Sequence, residues 1–162
     1  MACALLACAC DGTQVQIDGT VRGSALRLSH AISTRTSNVQ AVLFTEGSLT
    51  CDEMRRGTFC DGRPILAVGV FVRGALGRPG DLVPSAPGKF AIVGPPFPDG
   101  NDAVATYGSL DSTCHATASE TITAVSGSVT LDQLSPAAGK FLLTMSTGDE
   151  LSGRFDHATV CP

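Results

Sequence analysis

The chain has 162 residues, 43% hydrophobic and 16% charged, with eighteen glycines and nine prolines. That is the profile of one globular domain, neither disordered nor fibrous. A net charge of −4 and a pI near 5.2 argue against nucleic acid as a partner, because phosphate binding calls for a basic face. Seven phenylalanines, one tyrosine and no tryptophan leave few rings for a sugar-stacking surface or the aromatic girdles of an outer-membrane barrel.

After an opening "MACALLACACDG", alternation sets in at Gln14. Val15, Ile17, Gly19 and Val21 share one parity, against Gln14, Gln16, Asp18 and Thr20 on the other. "SALRLSHAIS" (24–33) places Leu26, Leu28, His30 and Ile32 on one face, and "NVQAVLFTE" (38–46) is β-branched and apolar. Arg55 and Arg56, flanked by Asp52 and Glu53, read as a solvated loop. "PILAVGVFV" (64–72) is apolar at both parities, as in a strand covered on both sides, and is too short to cross a bilayer as a helix.

Six of the nine prolines fall between Gly77 and Asn101, interrupted only by "KFAIV" (89–93). A long ordered loop carrying one short edge strand is expected there. "AVATYGSL" (103–110) and "ATASETITAVS" (116–126) return to strand composition. In "GSVTLDQL" Val129 and Leu131 oppose Ser128, Thr130 and Asp132; "SPAAG" turns; "KFLLTMS" aligns Phe141, Leu143 and Met145. "TGDE" turns again, leaving Asp149 and Glu150 solvated, and "ELSGRFDH" sets Leu151, Phe155 and His157 opposite Ser152, Arg154 and Asp156. These last three strands form an antiparallel meander. About ten short strands at roughly 8–12-residue spacing predict an all-β fold, a sandwich or a closed barrel. No linker divides it, so a single β domain is expected over residues 11–162, preceded by a processing segment at 1–10.

Cysteines fall into two groups: Cys3, Cys8 and Cys10 at the start, and Cys51, Cys60, Cys114 and Cys161 in the body. Four body cysteines in a loop-rich β domain suggest two disulfides, with three connectivities open. The favoured pairing is Cys51–Cys60 with Cys114–Cys161, stabilising by roughly 2.7 and about 4 kcal/mol on the loop-entropy model. No CxxC pair supports a zinc site. Disulfides place the domain in an oxidising compartment outside the cytoplasm.

"ALLAC" (4–8) resembles the lipobox of bacterial lipoproteins: leucine at the third position before the cysteine, a small residue just before it, then the cysteine to be lipidated. The resemblance implies lipidation at Cys8, with Cys10 as the rival position, and an anchor stable when two acyl chains are attached. The alternatives for this stretch are a short disordered tail and ordinary cleavage of the A-x-A kind near "ACA". Further on, "GTVRGSALRLSHAIS…AVLFTEGSLTC" and "SGSVTLDQL…GKFLLTMSTGDELSGRFDHATVC" resemble the two halves of small exported bacterial lipoproteins of unknown function. That likeness implies a disulfide-bonded β domain at the outer membrane or cell surface, without supplying chemistry.

No G-x-S-x-G elbow, H-E-x-x-H or P-loop is present. By parity His30 and His157 belong at the core edge, and His115, beside Cys114, at a strand end; their separations give no metal-ligand pattern. "DGND" (99–102) lacks the alternating oxygens of a calcium loop. No cofactor or metal is expected. The reading is a non-enzymatic envelope or surface module, held to the membrane by its lipid and free to bind a protein or small molecule. Its expected contact region is 77–101 with the Cys51–Cys60 loop. The alternative is a small apolar-ligand carrier, with Leu26, Val70, Phe71 and Phe141 lining a barrel cavity. A hydrolase with an unrecognised site ranks last.

Overall fold

A computed structural model of the chain describes residues 14–36, 39–71, 83–94, 102–113, 115–117 and 120–162. Its elements are β1 (Gln14–Val21), β2 (Ser24–Ala25), β3 (His30–Arg35), β4 (Gln40–Thr45), α1 (Cys51–Arg56), β5 (Pro64–Phe71), β6 (Gly88–Ile92), β7 (Asp102–Ser109), β8 (Ile122–Leu134), β9 (Ala137–Met145) and β10 (Glu150–Cys161). The pairings run β10–β3–β4–β5–β7–β6–β8–β9 and return from β9 to β10, closing an eight-strand barrel. β1 lies outside the ring, paired to β10 and carrying β2.

Closure depends on long strands that change neighbour along their length. β10 pairs with β1 over Leu151–Asp156, shifts register after Phe155, and then runs parallel to β3 over Thr159–Cys161. β8 does the same, meeting β7 at Ile122–Thr123 and β6 at Ser128–Leu131. A bulge adds twist and bends its strand, which lets a finite sheet curl onto itself. The meander β8–β9–β10 has the antiparallel pairing that its alternation predicts.

Inward positions fill the centre. Phe44, Leu66, Leu131, Leu143, Met145 and Leu151 are all buried to 1% exposure or less. Phe44 meets the rings of Phe141 and Phe155 edge-on, each with centroids 5.4 Å apart. From the same strand as Phe44, the buried Gln40 on β4 reaches across to β8, its Nε2 donating to the Leu134 carbonyl at 2.9 Å.

Several expectations need correction. "KFAIV" is no edge strand: β6 is held between β7 and β8. The two strands expected at 116–126 and 127–134 are one bulged strand, β8. The loop at Arg55–Arg56 is helix α1, nucleated by a capping box in which Glu53 N donates to Thr50 Oγ1 and Thr50 N to Glu53 Oε2. Gly57 in the left-handed region (φ 67°) ends it.

The disulfide pairing also differs. Cys51 is bonded to Cys161, with Cα atoms 5.3 Å apart, which excludes both Cys51–Cys60 and Cys114–Cys161. Cys60 is disulfide-bonded too, and Cys114 lies outside the described residues. The Cys51–Cys161 bond fastens α1 to the last residue of β10, where β10 pairs with β3 at the barrel seam. Sequence spacing favoured the nearest cysteine. The barrel instead brings the chain's end alongside β3, and that decides the partner.

Candidate functional site

The interior positions named for a ligand cavity do not form one. Val70 and Phe141 are buried in the packed core, Leu26 is partly buried against it, and Phe71 sits at outward parity next to Gly69. Adjacent strand residues point to opposite faces, so Val70 and Phe71 cannot both line an interior. The histidines do not converge either. His30 is exposed at the start of β3, with its Nδ1 3.0 Å from Ser29 Oγ. His157 is turned outward by the β10 bulge (φ 55°), its Nδ1 3.0 Å from Asp156 Oδ1. The same bulge breaks the parity that placed His157 at the core edge.

His115 sits in an exposed turn organised by Asp111, whose Oδ1 accepts from Thr113 N, Thr113 Oγ1 and His115 N. These bonds hold the Asp111 carboxyl below its ordinary range, with the Thr113 hydroxyl the largest cause. Among the described residues, no three His, Cys, Asp or Glu side chains are grouped to hold a metal ion. Of the expected contact region, 77–82 and 95–101 lie outside the described residues, as does most of "DGND"; Asp102 opens β7.

What the fold does assemble is a row of cations on the outer wall. The tripeptide Gly–cation–Phe occurs at Gly88–Lys89–Phe90, Gly139–Lys140–Phe141 and Gly153–Arg154–Phe155, on β6, β9 and β10. Strand register sets these side by side. Lys89 pairs with Thr130, Thr130 with Lys140, Lys140 with Arg154, and Arg154 with Gln16. The phenylalanines point in and are buried, while Lys89, Lys140 and Arg154 point out and are exposed.

A neighbouring outward row runs Ser128–Leu142–Ser152–Asp18. The two rows floor an open hollow of about 390 Å³. None of the three cations forms an ion pair with a carboxylate among the described residues. Lys140 and Arg154 are direct cross-strand neighbours, an arrangement that disfavours the sheet unless an anion is present. Composition could not reveal this row: a net charge of −4 averages over a wall where both of the chain's lysines meet an arginine.

A second hollow of about 140 Å³ lies on the opposite part of the wall, between Leu43, Ile65 and Ala67 of β4–β5 and Phe59, Leu110 and Ala116 of the flanking loops. Tyr107 at its edge is half-buried, and burial, with a smaller contribution from the Glu46 charge, raises its hydroxyl above the usual value.

No protein-family model matches the chain, and no curated protein or solved structure matches it.

Proposed function

We propose that the chain is a non-enzymatic, exported binding module, tethered in a bacterial envelope by lipid on Cys8, and that its working surface is the outer wall of the barrel. The observation that carries this is the filled interior. Phe44 is fully buried between Phe141 and Phe155, so the accessible chemistry lies outside. Disulfide-bonded Cys51, Cys60 and Cys161 support an oxidising compartment. The "ALLAC" pattern supports Cys8 as the acylated residue, with Cys10 next.

Mass spectrometry of the protein taken from its native membrane tests the tether. A diacylglycerol-modified Cys8 peptide is expected; an intact, unmodified Met1–Cys10 peptide sinks it.

The carrier reading retains one observation in its favour, the apolar 140 Å³ hollow beside Phe59 and Tyr107, large enough for a single small ring. Titration with 1-anilinonaphthalene-8-sulfonate separates the two readings. The module shows no saturable blue-shifted emission in its native state. One-to-one saturation that Phe59→Ala alters would move the assignment to a carrier.

A further inference from the structure

In the tripeptides of β9 and β10 the glycine and the phenylalanine both have structural explanations, and in that of β6 the phenylalanine does. The phenylalanines fill the barrel. Gly139 and Gly153 leave room for the rings of Phe155 and Phe141 on the facing strand. The cations have none, because no carboxylate among the described residues pairs with them and two of them sit directly opposite one another. At about 4.8 Å between strands, the row from Lys89 to Arg154 spans about 14 Å, broad and shallow, with the hydroxyls of Ser128, Thr130 and Ser152 around it. Beside it, in the neighbouring row, stands Leu142, exposed to 55%, and Val125 on β8 is 49% exposed; these are the exposed large apolar side chains of the described residues.

We propose that this wall docks on an anionic phospholipid surface, with Lys89, Lys140 and Arg154 against the headgroup phosphates and Leu142 in the interfacial layer. Three features favour a membrane over a soluble polyanion. The row is open and not enclosed. An exposed leucine adjoins it, which a polyanion would leave in water. The third rests on the lipid-anchor reading: Cys8 lies six residues before Gln14, a reach of about 20 Å when extended, and β1 forms the edge of this wall, contributing Gln16 and Asp18. A chain anchored there holds this face near the bilayer. Asp18, Asp132 and Asp156 border the cations, so docking is oriented by the row and not by overall charge.

The test uses the full chain with C3S, C8S and C10S substitutions and its body disulfides intact, so that no acyl chain contributes. It is sedimented with vesicles of mixed phosphatidylglycerol and phosphatidylcholine, and with phosphatidylcholine alone. Binding to the anionic vesicles only, weakening with salt, is expected. At roughly fivefold per cation, the K89Q/K140Q/R154Q variant loses on the order of 100-fold in partition. The same variant unfolds at an equal or higher temperature than its parent, because it relieves the Lys140–Arg154 repulsion; the lost binding is then not lost folding. Equal sedimentation of parent and variant, or equal binding to neutral vesicles, overturns the proposal. So does inorganic polyphosphate binding to the parent while anionic vesicles leave it in the supernatant, which would assign the row to a soluble polyanion. Failure of the tether reads out separately, as unmodified Cys8 in the native protein with vesicle binding intact.

Discussion

Gly139 shows how little slack the barrel wall has. A Cβ there would run into the Thr130 carbonyl oxygen and stand 3.2 Å from Leu131 Cα and Phe155 Cζ. Backbone on the facing strand cannot step aside, so Gly139→Ala is expected to cost at least about 2 kcal/mol. Gly47→Ala, whose Cβ would meet nothing nearer than Arg63 Nη1 at 3.8 Å, stays within about 0.5 kcal/mol. Urea denaturation of the two variants measures the difference. Phe44→Ala removes a ring from between Phe141 and Phe155 and is expected to lose about 3–5 kcal/mol by the same measurement.

Acidic turn residues set the pH response at this scale. Asp149, expected to be merely solvated, accepts from Thr147 Oγ1, Arg22 N and Thr20 Oγ1 and so clamps the β1–β2 hairpin to the β9–β10 turn. Those bonds, the Thr147 hydroxyl first, hold its carboxyl below the ordinary value. Asp61 is lowered to about 2 by the Arg63 guanidinium, which donates from both Nε and Nη2. A carboxylate depressed in the folded state contributes stability above its unfolded pKa, near 4, and loses it as the pH falls through the folded value. Thermal stability is therefore expected to hold from neutral pH down to about 5 and to fall towards pH 2. Asp149→Asn should flatten part of that slope; an unchanged acid profile in the variant would refute the clamp.

At the scale of elements, the Cys51–Cys161 bond has the largest consequence. It closes a separation of 110 residues, and on the loop-entropy model such a loop stabilises by roughly 4.7 kcal/mol. A non-reducing peptide map should recover the Cys51 and Cys161 peptides linked; a Cys51–Cys60 peptide would contradict the fold. The helix it fastens was legible in principle. Thr50-x-x-Glu53 before an acidic first turn, with Arg55–Arg56 and then Gly57, is the sequence signature of a capped turn. Apolar periodicity does not mark it, because α1 buries no residue. The parities of β9 and the first half of β10 were legible, since one-sided burial writes alternation into the sequence. Bulges hid the rest: they merged two expected strands into β8 and turned His157 outward, and a bulge alters geometry without altering residue type.

For the whole molecule, closure is the property to test. Only Thr159–Cys161 pair β10 with β3, although β10 also holds β9 and β1. A chain ending at Ala158 loses both that seam and the disulfide, and is expected to unfold broadly and at lower denaturant than the full chain; a sharp, unshifted transition would show that the seam contributes little.

The sequence by itself determined the class of fold, the inward residues of the meander as far as Phe155 and the presence of bonded cysteines, because each is set by neighbours a few positions away or by residue chemistry. Only the tertiary structure decided barrel over sandwich, Cys161 as the partner of Cys51, and the alignment of Lys89, Lys140 and Arg154. Those depend on which strands lie side by side, and register between paired residues 10 to 41 positions apart leaves no local trace in the chain. The three Gly–cation–Phe tripeptides were visible from the start as words. Pairing through β8 and β10 made them a surface.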